Sequence, residues 1–207
     1  MEIILENAGK KFNTEWILRQ VNLHLTAGNG YAFTGANGSG KSTLIRLLTG
    51  QLPVTEGNIK HRYLGKEIHV DDWYRLIIMA APYLELVEEF SLQEFVKFHQ
   101  SFKKFKNQLT VKQFLDFSEL SHAQNKLIRH FSSGMKQRLR LALAFQTDVP
   151  VVLLDEPTSN LDSKGIDWYQ QNVSLLLNQG QLLVIGSNQP AEYALCQYQV
   201  RMSDYKR

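Results

Sequence analysis

A single cysteine, Cys196, among 207 residues excludes an internal disulfide framework and leaves the fold to hydrophobic burial. Long apolar runs are missing too. The longest, residues 151–154 and 182–185, have the length of strands and fall far short of the ~20 residues that a membrane-spanning helix requires. Neither sign of charge dominates: 23 Lys and Arg against 20 Asp and Glu leave a formal net charge of +3, too weak to argue for a nucleic-acid partner. Repeats, low-complexity tracts and long Pro/Gly/Ser linkers are absent. The opening MEIILENAGKKF carries acidic residues among its first six and no apolar run, so it does not read as a secretory signal. The chain is therefore expected to be soluble, with any membrane role coming through a partner. What remains is ordinary globular composition, 43% hydrophobic and 21% charged. A chain of this length buries roughly 70% of its extended surface, as one domain or one domain with an inserted lobe.

Residues 2–6, 16–25 and 30–34 read as strands, with Gly28-Asn29-Gly30 turning between the last two. Residues 42–48 read as a helix ended by Gly50, and Thr55-Glu56-Gly57-Asn58 as a turn before a strand at 58–63. From about Ser91 to Phe145 the pattern turns helical. Seven of the eleven Phe lie between Phe90 and Phe117, with Phe95, Phe98, Phe102 and Phe105 spaced by three and four. That spacing reads as the core-facing stripe of a small helical lobe; the alternative is that some rings line an exposed groove for a partner helix. The basic cluster Lys103, Lys104 and Lys106 reads as a solvated helix face. A strand at 151–154, a helix near 166–177, a strand at 182–185 and a final helix and short strand to Arg207 complete the chain. Strands alternating with helices imply an α/β fold with a parallel sheet covered on both faces, into which the helical lobe is inserted.

Gly35-Ala36-Asn37-Gly38-Ser39-Gly40-Lys41-Ser42, followed by Thr43, fits the phosphate-loop pattern G-x-x-x-x-G-K-[ST] without a forced residue. Glycines let successive backbone N–H groups turn inward, and the following helix points its positive end at the same spot. Lys41 reaches for the β- and γ-phosphates as a point charge, and the Ser42 hydroxyl for Mg²⁺. The motif sits between a strand (Tyr31-Ala32-Phe33-Thr34) and an apolar-periodic helix (Leu44, Ile45, Leu47, Leu48), which is the context it needs. Val151-Val152-Leu153-Leu154-Asp155-Glu156 is a buried strand ending in two carboxylates, at the end of a parallel strand where ligands sit. Asp155 is expected to help hold Mg²⁺ through water, and Glu156 to act as general base toward a water attacking the γ-phosphate.

Phe131-Ser132-Ser133-Gly134-Met135-Lys136-Gln137-Arg138 lies between these motifs, and Asp155-Glu156-Pro157-Thr158-Ser159-Asn160-Leu161-Asp162 follows them. With these strings the chain resembles, essentially end to end, the ATPase subunits of ATP-binding-cassette (ABC) transporters. The first resembles the family's LSGGQ signature and its helix, the second its extended Walker B and D-loop. The resemblance implies a P-loop NTPase of ABC type over residues 1–207. Residues 1–86 and 146–207 would form the core with its N-terminal antiparallel strands, and 87–145 the helical signature lobe. Phe12, six residues before Leu18, stands where the family places an aromatic that stacks on adenine. The resemblance further implies two cassettes, identical or related, packed head to tail with two ATP between them. Ser132 and the backbone around Gly134 would touch the γ-phosphate held by the opposite subunit, and Asp162 would cross the interface. ATP and Mg²⁺ are the implied cofactors and an integral membrane subunit the implied partner, with no nucleic acid. The location would be cytoplasmic, peripheral at the inner face of the membrane. Ser133 replaces a glycine of the signature, a mild departure.

Two departures are larger. The Q-loop glutamine falls, counting back nine residues from Ser91, on Pro82, and no Gln occurs between Gln51 and Gln93. Proline offers neither a side-chain carbonyl nor a backbone N–H. The switch histidine falls on Asn188, 33 residues after Asp155, and the last His in the chain is His130. Asn188 can donate a hydrogen bond to a γ-phosphate but cannot carry charge. Losing such a group commonly costs on the order of 10²–10³ in rate. The expectation is the ATP-hydrolysing subunit of an export-type transporter, slow at hydrolysis. The alternatives are an ATP-binding partner that hydrolyses poorly, and a soluble assembly or sensor module not engaged in transport.

Overall fold

Apolar residues alternating along the first segments pair into a long hairpin. In the computed structural model, which describes residues 1–205, β1 (Glu2–Phe12) and β2 (Glu15–Thr26) are antiparallel, both longer than their sequence pattern suggests. β3 (Gly30–Thr34) then leads through the glycine-rich loop into α1 (Lys41–Leu48). β4 (Glu56–Tyr63) pairs with β1 and with the short β5 (Lys66–Ile68) to complete an antiparallel sheet. Of the turn expected at Thr55-Glu56-Gly57-Asn58, the last three residues instead start β4, where Asn58 pairs with Glu6 and Glu56 with Gly9 across a register shift. The irregularity of β1 accommodates the glycine that local sequence marks as a turn.

The chain next forms β6 (Ile77–Ala80), α2 (Leu92–Phe102), α3 (Val111–Ser118) and α4 (Ser133–Gln146). It returns through β7 (Val151–Asp155), α5 (Ser163–Asn178), β8 (Leu182–Ser187) and β9 (Tyr198–Arg201). The strands order as β6-β7-β8-β3-β9, each neighbour parallel. Each of the later helices begins at a local cap. Ser91 with Glu94 and Thr110 with Gln113 form capping boxes, and Ser132 and Asp162 cap α4 and α5.

Successive residues of β7 point to opposite layers. Val151 and Leu153 join a core with α1 and the antiparallel strands, while Val152 and Leu154 join one with α2–α5. With both faces covered, each such side chain contributes about 1.5–3 kcal/mol by burial. Among the described residues no helix is long and apolar enough to cross a membrane.

Three sequence expectations change here. The phenylalanine stripe splits: Phe95 and Phe105 are buried, whereas Phe98 and Phe102 are exposed, with Phe98 meeting both Phe90 and Phe102 edge-on. In α2 the core face is set by Leu92, Phe95 and Val96, leaving Phe98 and Phe102 to one side. Lys103 and Lys106 are not a solvated face. Lys103 donates to the Ile77 carbonyl and Lys106 to Gln179 and Gln181, and burial pushes each ammonium down to about 8. The final helix shrinks to a 3₁₀ turn at Pro190–Glu192. Gln197, whose Oε1 accepts from Gly30 N at 2.7 Å, draws the chain back beside β3 instead. Lys206 and Arg207, included in the expected final strand, lie outside the described residues.

Candidate nucleotide site

Strand register assembles the site. Asp155 stands opposite Gly186 and Thr34 opposite Ser187, so Gly35, Glu156 and Asn188 leave the parallel sheet together at its carboxyl end. Ala80 is level with Leu154, which brings the segment after β6 to the same edge. In open parallel sheets this edge, lined by the connecting loops, receives ligands.

The loop between β3 and α1 folds around Lys41. The residue is only 4% exposed, and its ammonium donates to the carbonyls of Gly35 at 2.7 Å and Ala36 at 3.2 Å. Both bonds go to backbone, so the positive charge is left for an anion. Gly40 caps α1 at φ 100, a left-handed conformation that side chains disfavour, and a Cβ there would press on Leu18 Cδ2 at 2.9 Å. The buried Ser39 hydroxyl finds no hydrogen-bond partner among the described residues, which leaves a donor in the same loop for a ligand. At the exposed rim, where Gly38 also lies, Asn188 Nδ2 donates to Asn37 Oδ1 at 3.2 Å. Asn188 thus meets the phosphate loop directly, across 151 residues of sequence. Ser42 and Thr43 open the first turn of α1, both half-buried.

Asp155 ends β7 and is 1% exposed. Its Oδ2 accepts from the Tyr83 hydroxyl at 2.8 Å, and its Oδ1 has no partner among the described residues. Burial pushes the carboxyl above its usual range, against the hydrogen bonds of Ser42 and Tyr83 and the charge of Lys41. Burial and the neighbouring Asp155 charge in turn hold the Tyr83 phenol protonated well above its ordinary value. Glu156 follows at φ 43 with its N–H on the Gly186 carbonyl at 2.8 Å, a backbone that few side-chain-bearing residues adopt. Ser42, Asp155 and Tyr83 offer hydroxyl, carboxylate and phenol oxygens. This hard-oxygen set with one carboxylate fits magnesium held chiefly by nucleotide phosphates, and the unpartnered Asp155 oxygen agrees with it.

A second group of expected residues gathers around α4. Ser132 is exposed, its hydroxyl accepting from Met135 N at 3.2 Å. A Cβ on Gly134 would lie 2.8 Å from the Asn160 carbonyl, so glycine lets the loop after Glu156 rest against the first turn of α4. The fully buried Gln137 donates to the Pro157 carbonyl at 2.8 Å. Asp162 Oδ1 accepts from Gly165 N at 2.8 Å as the cap of α5. No hydrogen bond among the described residues joins Ser132 or Gly134 to the phosphate loop. One chain therefore carries two separate groups, joined through residues 156–160. Phe12 stands at the end of β1, half exposed, with the Lys10 ammonium 5.2 Å from its ring centroid. Lys10 pairs with Leu18, the residue that packs on Gly40.

Pro82 opens a segment, residues 82–89, that runs along α4 beside a cleft of about 670 Å³. Arg140 Nε donates to the Leu84 carbonyl at 2.9 Å and Lys136 pairs with Glu88. Two site residues escape the sequence reading. Tyr83 lies one position past the expected glutamine, and a hydroxyl there was the available signal. Glu192, 3% exposed, accepts from Thr158 N at 2.9 Å and from the Thr158 hydroxyl, tying the segment after β8 to the loop after Glu156. No local pattern marks it.

Residues 18–159 match the family model described as ABC transporter. The lantibiotic transport ATP-binding protein SrtF of Streptococcus pyogenes is 29% identical over 189 residues, covering 89% of this chain and 79% of SrtF. The sulfate/thiosulfate import ATP-binding protein CysA of Synechocystis sp. is 32% identical over 168 residues, covering 79% of this chain and 47% of CysA. Among solved structures, the ATP-binding cassette MJ0796, dimeric in a post-hydrolysis state bound to ADP and Pi, superposes with a TM-score of 0.84. It is 22% identical over 96% of this chain and 93% of its own, a likeness of fold.

Proposed function

This chain belongs to the ABC transporter family, and from that premise we propose that it binds Mg-ATP between two cassettes, its own and an identical or related one, to drive a separate membrane subunit. Lys41 and the loop residues Gly35, Asn37, Gly38, Ser39, Gly40 and Thr43 hold the triphosphate, and Phe12 stacks on the base. Ser42 and Asp155 hold Mg²⁺, which when bound neutralises phosphate charge. The Glu156 carboxylate takes the proton of the attacking water, and Asn188 donates to the γ-phosphate. Ser132, Gly134 and Asp162 complete the site of the opposing cassette. Nucleotide then acts as glue, because donors from both chains share its charge.

The observation that carries this reading is the meeting of Lys41, Asp155 and the Asn188–Asn37 pair at one end of one sheet. Turnover is slow, because Pro82 and Asn188 replace two groups that position water and phosphate. Export is the direction we favour; of the two relatives, the lantibiotic transport protein is covered over most of its length and the sulfate/thiosulfate import protein over less than half. A cytoplasmic, membrane-peripheral location is part of the same reading, and membership of the family supports it.

The test is Glu156→Gln followed by size-exclusion chromatography with light scattering in Mg-ATP. A dimer that persists with ATP unhydrolysed is the expected result. A variant that stays monomeric with ATP bound, or hydrolyses at the wild-type rate, overturns the reading.

A further inference from the structure

The position expected to supply an amide oxygen to the metal holds Pro82, yet the chemistry is not lost from the segment. Tyr83 lies beside it, and its hydroxyl donates to Asp155 Oδ2 at 2.8 Å. Tyr83 is 47% exposed, whereas Asp155, whose carboxylate it reaches, is 1% exposed. The side chain therefore runs from the open side of the site down to its floor. Two independent features make this contact more than packing. Asp155 is a buried carboxylate whose other oxygen lacks a hydrogen-bond partner among the described residues, so the phenol fixes the orientation of the whole group. Ala80 is level with Leu154, and α1 opens at the same end of the sheet, so the Ser42 hydroxyl, the Asp155 carboxylate and the Tyr83 phenol share one edge. The next residue, Leu84, is held through its carbonyl by Arg140 of α4, and Glu88 by Lys136. The backbone that follows Tyr83 is thus tied to that helix, which steadies the point from which the phenol reaches Asp155.

We propose that Tyr83 is the positioning residue for the magnesium of bound nucleotide, holding the Asp155 carboxylate in place and filling, from the neighbouring position, the role that Pro82 cannot. The inference rests on the Mg-ATP reading above. It names a side chain that strengthens the dependence of nucleotide affinity on the divalent ion by orienting the Asp155 ligand. A proline at position 82 lacks an N–H and fixes its φ, which steadies the backbone entering Tyr83.

The experiment is calorimetric titration of ATP into wild type and Tyr83→Phe, each in Mg²⁺ and in EDTA. Phenylalanine keeps the ring and removes only the hydroxyl. In EDTA the two proteins should bind ATP alike, whereas in Mg²⁺ the variant should bind about tenfold more weakly, the effect of one hydrogen bond to a charged group. Adding Pro82→Gln to Tyr83→Phe should recover most of the Mg²⁺ dependence. Equal losses in Mg²⁺ and EDTA would reduce Tyr83 to packing, and no loss in Mg²⁺ would remove it from the site; either overturns the proposal. A variant that binds more tightly in Mg²⁺ shows the phenol blocking the metal, which also overturns it. On the wild-type protein, Mg²⁺ added to the ATP complex should shift the ¹³Cζ resonance of Tyr83, and an unmoved resonance counts against the proposal even if the variant misfolds. Wild type that fails to bind ATP in both buffers defeats the Mg-ATP reading itself, a separate outcome.

Discussion

Replacing Asn188 by histidine isolates one interaction. The Asn188 amide already spends one of its two N–H donors on Asn37 Oδ1 at 3.2 Å, leaving one for a γ-phosphate at this exposed position just past β8. A neutral donor contributes about 0.5–1.5 kcal/mol to a hydrogen bond and a charged one about 1.5–3 kcal/mol. Asn188→His should therefore lower the barrier by roughly 1.4 kcal/mol, close to tenfold in rate. A second signature accompanies the rate. The wild-type residue has no titratable group, so turnover should show no inflection from position 188 between pH 6 and 8. The variant should gain an inflection near the ordinary histidine value of about 6.5, with the rate rising as pH falls through it because the imidazolium is the stronger donor. Single-turnover hydrolysis across that range in Mg-ATP measures both. An unchanged rate with an unchanged pH profile would refute the reasoning, because Asn188 would then not reach the phosphate.

Lys41→Ala should weaken ATP binding by about 10²–10³-fold, since a unit charge near 4 Å in a partly screened site is worth up to ~4 kcal/mol; unchanged affinity in calorimetry would remove the phosphate-loop assignment. His61 is fully buried, bonded to the Leu48 carbonyl at 2.9 Å, and burial pushes its imidazole down to about 4. Its folded value lies below the unfolded one, so stability is complete above about pH 6.5 and is lost as pH falls toward 4, by about 2 kcal/mol at pH 5. Urea unfolding at pH 7.5 and pH 5 should show this loss in wild type. His61→Gln should lose less, retaining only what His99, also lowered to about 4, contributes. An equal loss in the variant would absolve His61.

What the sequence makes legible is local. The phosphate loop announces itself because Gly40, Lys41 and Ser42 sit between an apolar strand and an amphipathic helix, and strand β7 ends its apolar run at Asp155. The caps at Ser91, Thr110, Ser132 and Asp162 stand at the start of their helices. The illegible part is set by distant pairing. Tyr83 meets Asp155 across 72 residues, and Glu192 meets Thr158 across 34, contacts that only the register of the parallel sheet creates. The same cause misleads at Thr55–Asn58, where pairing with an irregular β1 overrides turn-forming residues. The glutamine pattern passes over the tyrosine beside its expected position, because residue identity, not hydrogen-bonding capacity, defines it.

The short stretch from Glu156 to Asn160 is stitched on both sides, by Gln137 at Pro157, by Glu192 at Thr158 and by the bare backbone of Gly134 at Asn160. Such a stretch has no slack. Any displacement beside Glu156 must be shared with the start of α4 and with the chain leaving β8, so damage at Gln137, Glu192 or Gly134 should be felt at the carboxylates even though none of the three approaches them in sequence.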